Sequence, residues 1–258
     1  MPPGPSGRSP FGLETDLVPD QHILATSGGN KWTGRTWRFG GLLRYALTLS
    51  GKERPRLCFL NTATGDNGDN IAACYAAAAG EAVEPYHVQL FPMPNVDDIA
   101  EHLCSMDVIW VGGGSVANLL ALWRLHGVDA AMRAAWEAGV VLAGSSAGSI
   151  CWHVGGTTDS FGPELRPVTN GLAFVPYANG VHYDSEEQRR PLLQRLVADG
   201  AVPLTFATDD GVGLHYVGTS LLEAVAELPG KSAWRIERND DGGMTETRLT
   251  TRLLDGEA

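Results

Sequence analysis

Residues 107–151 read DVIWVGGGSVANLLALWRLHGVDAAMRAAWEAGVVLAGSSAGSIC, and this stretch decides the fold class. The apolar run Asp107–Val111 stops at three glycines, and apolar residues at helical spacing follow from Val116 to about Leu125. A second helical stretch covers Val128–Ala138. Val140–Ala143 is again apolar and of strand length, and it runs straight into Gly144-Ser145-Ser146-Ala147-Gly148. Strand, glycine turn, helix, strand, glycine turn implies a parallel sheet. A parallel connection needs a crossover helix, and strands covered on both faces read as unbroken apolar runs.

The pattern extends in both directions. Upstream, His22–Thr26 and Arg56–Asn61 have strand character and His87–Phe91 resembles another strand. Helices are expected around Trp37–Leu49, Ile71–Gly80 and Asp97–Leu103. Beyond Cys151 the pattern loosens into short strands and turns, with a helix over Gln188–Asp199 and an apolar strand at Val212–Tyr216. No repeat or linker interrupts it. Residues 21–258 read as a single α/β domain, preceded by a flexible Pro-, Gly- and Ser-rich tail over 1–20 that lacks the apolar segment of a secretion signal.

Composition narrows the functional classes. With 258 residues, 43% apolar and 19% charged, the chain is long enough for a sizeable core and too apolar for wholesale disorder. No apolar run approaches the ~18 residues of a membrane helix. A net charge of −11 without a Lys/Arg cluster argues against nucleic acid and anionic membrane surfaces as partners. Cys58, Cys74, Cys104 and Cys151 lie far apart with no CxxC pair, so buried thiols are expected, with neither a disulfide framework nor a zinc site. No metal-ligand constellation stands out and no cofactor is implied. The cytoplasm is the default compartment.

In parallel sheets the turns at the strands' C-terminal ends carry function. The G-x-S-x-G of Gly144–Gly148 after a strand would lift the Ser146 hydroxyl above the sheet edge and aim backbone N–H groups at it. The competing reading is a tight turn whose serine only caps a helix. A serine nucleophile needs a base, and His182 in Asn179–Asp184 (NGVHYD) is the best placed of the seven histidines. His153 and His215 read as structural, and His22, His87, His102 and His126 stand in ordinary strand or helix contexts. Phe206–Gly211 (FATDDG) is an apolar run ending in two carboxylates. Asp210 is the first candidate to orient the imidazole, with Asp209 and Asp159 as alternatives. Backbone N–H groups of Gly114 and Ala147 are the candidate oxyanion donors. GGGS at 112–115 could instead cradle a phosphate, but it fits neither the dinucleotide nor the Walker pattern.

VGGGSVANLL, GSSAGSICW, NGVHYD and TDDG, in that order, resemble the peptidase E family of serine peptidases, which includes aspartyl dipeptidase and relates to cyanophycinase. The resemblance covers roughly Leu57 to Tyr216. It implies a three-layer α/β sandwich with a mostly parallel sheet, akin to the class I glutamine amidotransferase domain and thus flavodoxin-like. It also implies Ser146 as nucleophile, His182 as base, Asp210 as third member, and Gly114 and Ala147 as oxyanion donors. The chain order Ser…His…Asp differs from the Ser…Asp…His of α/β-hydrolases.

One segment departs from the family pattern. Aspartyl dipeptidases carry a longer stretch after the histidine, with an Arg before EQR; here the stretch is short and Glu186 precedes Glu187-Gln188-Arg189. A carboxylate cannot make the charge-assisted bonds an Arg gives an acidic side chain, which argues against Asp-X dipeptides. Glu186 and Arg189 are the candidate substrate-binding pair, and Arg189 or Arg190 would restore acidic specificity if the fold brought either to the pocket. The expected activity is hydrolysis of a peptide or amide bond in a small peptide. The competing readings are a low-turnover small-molecule-binding homologue and an esterase or amidase using the same turn. A homodimer is compatible with the family, though no residue specifies it.

Overall fold

A computed structural model describes residues 20–255, so all of the expected tail but Asp20 lies outside the described residues. The first half runs β1 (His22–Thr26), β2 (Asn30–Trp32), β3 (Trp37–Phe39), α1 (Gly41–Leu49), β4 (Arg56–Leu60), a 3-10 turn at Thr62–Thr64, α2 (Gly68–Ala78) and β5 (Glu84–Val88). It continues with α3 (Ile99–Cys104), β6 (Val108–Val111), α4 (Val116–His126), α5 (Val128–Glu137), β7 (Val141–Ser145) and the single-turn α6 (Ala147–Ile150). The second half is β8 (Gly155–Thr158), β9 (Arg166–Val168), β10 (Ala178–Gly180), α7 (Arg189–Ala198), β11 (Thr205–Thr208) and β12 (Val212–Val217). It ends with β13 (Ser220–Ala226), β14 (Ala233–Arg238), β15 (Met244–Leu249) and β16 (Thr251–Leu253).

The apolar runs form the centre of an eight-stranded sheet in the order β16-β13-β12-β1-β7-β6-β4-β5. β1, β7, β6, β4 and β5 are parallel, as unbroken apolar strands require, and β12 and β13 join antiparallel. Alternation along β1 defines the layers. Leu24 faces Leu42, Leu43 and Ala46 of α1, while Ile23 and Ala25 face the cluster holding Leu119 and Trp123 of α4 and Met132 of α5. Helix ends follow local chemistry: Ser115 Oγ accepts from Asn118 N at 3.2 Å to start α4, and left-handed Gly127 (φ 72°) ends it.

The short strands after Cys151 assemble into a second, six-stranded sheet, β15-β14-β11-β10-β8-β9. Its inner face belongs to the core of the first sheet, since Val168, Val181, Phe206 and Ala233 pack in one cluster with Ile109, Trp123 and Tyr216. Its outer face is covered by Leu193 and Val197 of α7.

Three expectations are corrected. The helix expected over Trp37–Leu49 starts only at Gly41. Trp37–Phe39 pairs with Asn30–Trp32 as a hairpin, and Glu227 Oε2 takes the Leu42 N–H at 3.0 Å to fix the new helix start. The strand expected at His87–Phe91 lies at Glu84–Val88, because Asp66 Oδ2 takes the N–H groups of Leu90 (2.5 Å) and Phe91 (3.2 Å) away from any ladder. All four cysteines are free thiols, but only Cys58 and Cys151 are buried; Cys74 is partly buried and Cys104 is exposed. No helix among the described residues is long and apolar enough to cross a membrane.

Candidate active site

Ser146 follows directly on β7 with φ 57° and ψ −110°, and His182 lies two residues past β10 with φ 53°. They are two of four non-glycine residues with positive φ among the described residues. Side chains rarely adopt this region, and such strain concentrates at sites where the surroundings over-determine the backbone. At Ser146 the cause is crowding. A Cβ on Gly144 would lie 2.5 Å from the Gly148 carbonyl oxygen, and one on Gly148 would lie 2.2 Å from that of Val111. Only glycine fits either side of the serine, so β7 turns abruptly into α6 and the serine is pushed out at the turn.

The end of β1 holds this turn in place. Thr26 O accepts the Ser146 N–H at 2.9 Å, and Ser27 O accepts the Gly211 N–H at 2.8 Å. The serine turn and the FATDDG turn thus hang from consecutive carbonyls.

His182 Nδ1 and Asp210 Oδ1 are 2.6 Å apart. A carboxylate only accepts, so Nδ1–H is the donor, and in the neutral imidazole this leaves Nε2 as an acceptor. The pair is partly open to solvent, with 24% of the His182 side chain and 38% of that of Asp210 exposed. No hydrogen bond among the described residues joins Ser146 Oγ to His182. Asp184 supports the pair from behind: its Oδ1 accepts the Asp210 N–H at 2.8 Å and its Oδ2 pairs with Lys231. Burial pushes the Asp184 carboxyl up, but the Lys231 ammonium and the Asp210 N–H outweigh it and hold it below the usual carboxylate range.

The two alternative acids lie elsewhere. Asp209 is buried and turned away, accepting from Trp234 Nε1 at 3.0 Å and Ser232 N at 2.9 Å; burial raises its pKa despite those bonds. Asp159 is exposed on the loop after β8 and makes no bond to His182. The neighbouring Ser160 accepts the Ala117 N–H of α4 at 3.3 Å, which sets that loop against the Gly114 turn. Within Gly112–Gly114, a Cβ added at Gly113 would meet Ser146, at 3.2 Å from its Cβ. The N–H groups of Gly113, Gly114 and Ala147 meet no acceptor among the described residues.

Arg189 is not presented to a pocket. It is 3% exposed, with Nε on Glu186 Oε2 at 2.7 Å and Nη1 on Thr157 O at 2.5 Å. Arg190 lies over the Trp234 ring at 4.6 Å and pairs with Glu246 at 3.0 Å. Both cations are thus occupied by partners within the chain. His153 and His215 are the structural histidines expected. His153 bridges Ser149 O at 2.9 Å and Tyr216 Oη at 3.0 Å, and His215 lies 3.0 Å from His22 and 2.9 Å from Tyr45 Oη. Burial holds each imidazole down at about 4, with His22 adding to the effect at His215.

Sequence reasoning missed the supporting roles of Asp184 and of the β1 end. The only signals were a carboxylate two residues past the histidine and Thr-Ser-Gly-Gly at a strand's C-terminal end.

The family model for Peptidase family S51 matches residues 23–223, which include strands of both sheets and every candidate catalytic and oxyanion residue. The chain belongs to peptidase family S51. This bears out the resemblance to peptidase E, and the S51 member described here is a serine-type peptidase. It is 40% identical over 193 residues to "Uncharacterized peptidase YgaJ" of Bacillus subtilis (strain 168), covering 75% of this chain and 83% of that protein. It is 26% identical over 156 residues to "Peptidase E" of Shewanella denitrificans, covering 57% of this chain and 66% of that one. The crystal structure of a peptidase from an acI-B1 Actinobacterium shares the fold, with a TM-score of 0.62 at 15% identity over 91% of this chain and 96% of that one.

Proposed function

We propose that this S51 peptidase hydrolyses an amide bond in a small peptide with Ser146 as nucleophile, His182 as general base and acid, and Asp210 as the group that orients it. The observation that carries the reading is the 2.6 Å Nδ1–Oδ1 bond, in which Nδ1–H is the donor so that the neutral imidazole offers Nε2 as an acceptor; the backbone strain at both Ser146 and His182 supports it. Ser146 Oγ attacks the carbonyl carbon while Nε2 takes its proton. The oxyanion so formed accepts from the N–H groups of Gly114 and Ala147, with Gly113 adjoining. The C–N bond breaks as the imidazolium returns the proton to the leaving amine. Water, deprotonated by the same Nε2, then attacks the ester and frees the acid and Ser146. The Ser146–His182 hydrogen bond is expected to form in the Michaelis complex, where catalytic bonds that are long in the free enzyme tighten.

The occupied state of Arg189 and Arg190 and the carboxylate at 186 favour peptides with neutral side chains over Asp-X dipeptides. The parallel centre of the first sheet supports a class I glutamine amidotransferase-like, flavodoxin-like arrangement, and the core shared by the two sheets supports one domain over 21–258. Four free thiols fit a reducing cytoplasmic setting, and a homodimer is compatible with the family. The test is a panel of di- and tripeptides with matched p-nitrophenyl esters. The expected result is peptide cleavage that Ser146→Ala abolishes, with Asp-X among the poorer substrates. Saturable binding of a small molecule without product, unaffected by Ser146→Ala, would contradict the reading, and turnover of esters alone would replace it by an esterase.

A further inference from the structure

The three candidate catalytic residues come from two sheets. Ser146 follows β7 of the first sheet, whereas His182 and Asp210 follow β10 and β11 of the second. The Nδ1–Oδ1 bond ties the imidazole to the FATDDG turn, which the Gly211 N–H holds to Ser27 O, but it does not fix the backbone of His182. The distance from His182 to the serine therefore depends also on how that backbone is registered against the first sheet.

Ser27, at the end of β1 in the first sheet, supplies the registration. Its Oγ accepts the backbone N–H of His182 at 3.1 Å and lies 2.6 Å from Thr208 Oγ1. Thr208 Oγ1 in turn donates to Gly180 O at 3.4 Å. Either hydroxyl can donate across the Ser27–Thr208 contact. With Ser27 donating, the bonds run His182 N–H to Ser27 Oγ, Ser27 O–H to Thr208 Oγ1 and Thr208 O–H to Gly180 O. With Thr208 donating, the Ser27 O–H turns to Thr208 O at 3.4 Å. In the first arrangement the circuit closes over Gly180–His182, and in both the His182 N–H bond holds the left-handed turn at His182. Ser27 is 4% exposed and Thr208 fully buried, so water does not compete for these bonds. The preceding carbonyl, Thr26 O, carries the Ser146 N–H at 2.9 Å. Adjacent residues of one strand end therefore anchor the backbones of both serine and histidine.

We propose that Ser27, with Thr208 behind it, is a positioning residue that sets His182 in reach of Ser146 by tying the histidine's backbone to the strand end that carries the serine. The proposal rests on the serine-peptidase reading above. Losing the Ser27 hydroxyl frees the His182 turn and lets the imidazole drift while its bond to Asp210 persists. A misplacement on the order of 1 Å costs about 100-fold in rate.

The test compares the full chain with Ser27→Ala, Ser27→Thr and Thr208→Val by fluorophosphonate labelling rate, by kcat and KM on the best peptide, and by the low-field NMR proton of His182 Nδ1–H. Ser27→Ala is expected to slow labelling and kcat by about 10- to 100-fold, with KM little changed and the low-field proton retained. Ser27→Thr, which keeps the hydroxyl, is expected to recover most of the rate, and Thr208→Val to fall between. Wild-type rates in Ser27→Ala overturn the proposal, as does loss of the Nδ1 proton together with the rate, which would mark a structural residue only. A wild-type chain that takes no label and cleaves no peptide overturns instead the peptidase reading on which the proposal rests.

Discussion

At the residue scale the site is built on backbone conformations that its side chains do not favour. Ser146 at φ 57° is held by glycines that collide with their neighbours if given a Cβ, so its strain is maintained by packing. Ser146→Gly is therefore expected to be more stable than Ser146→Ala by about 1 kcal/mol, as measured by urea unfolding, because glycine adopts this region freely. Equal stability of the two would show that the turn is relaxed. The carboxylates separate by partner in the same way. Asp210 faces the imidazole, whereas Asp209 anchors Trp234 and Ser232. Asp210→Asn is expected to lower kcat by roughly 10³- to 10⁴-fold with little loss of stability, because the wrong tautomer of His182 is then favoured. Asp209→Asn should do the reverse, lowering the Tm while kcat changes by less than about tenfold, since a buried acceptor of two N–H groups is impaired. Peptide turnover and thermal melts on both variants separate the two roles.

At the scale of elements, β1, β4, β6 and β7 were legible because each is an almost unbroken apolar run closed by a glycine or polar turn, and both their faces are buried. The serine turn and the FATDDG turn were legible for the same reason, as sharp endings of such runs. The hairpin at Asn30–Phe39 was not, because three-residue strands have no periodicity, and Trp37-Arg38-Phe39 reads equally well as the first turn of the helix after it. The second sheet was hidden similarly: β8, β9 and β10 hold three or four residues each, and their partners are brought together only by the fold. The anchoring role of the β1 end was not legible because it is carried by carbonyls and one small hydroxyl, which no motif distinguishes. Between the elements, His153 joins α6 to β12 as a neutral, fully buried imidazole held down at about 4. Its unfolded value is near 6.5, so its contribution is complete above pH 6.5 and is lost as the pH falls from there towards 4, by up to about 3 kcal/mol. His215 acts in the same direction. The Tm should fall steeply over that window, and His153→Gln should flatten the slope. A Tm independent of pH between 6.5 and 4 would contradict the buried neutral state.

At the scale of the whole molecule, two sheets share one core, and the serine and its base stand on different sheets. A single cooperative unfolding transition is expected by calorimetry, with calorimetric and van't Hoff enthalpies in agreement. Two resolved transitions would mean that the sheets unfold separately and that the site depends on a labile contact. The net charge of −11, first a statement about polyanionic partners, bears on substrate once Arg189 and Arg190 are seen to be engaged within the chain. The central claim is that Ser146 is a nucleophile activated by His182. It is tested most directly by treating the full chain with a fluorophosphonate and mapping the adduct by peptide mass. One adduct is expected, on Ser146, absent in Ser146→Ala and formed at least about 100-fold more slowly in His182→Ala. No adduct on the wild-type chain, an adduct on another serine, or labelling of Ser146 at an unchanged rate in His182→Ala would contradict it.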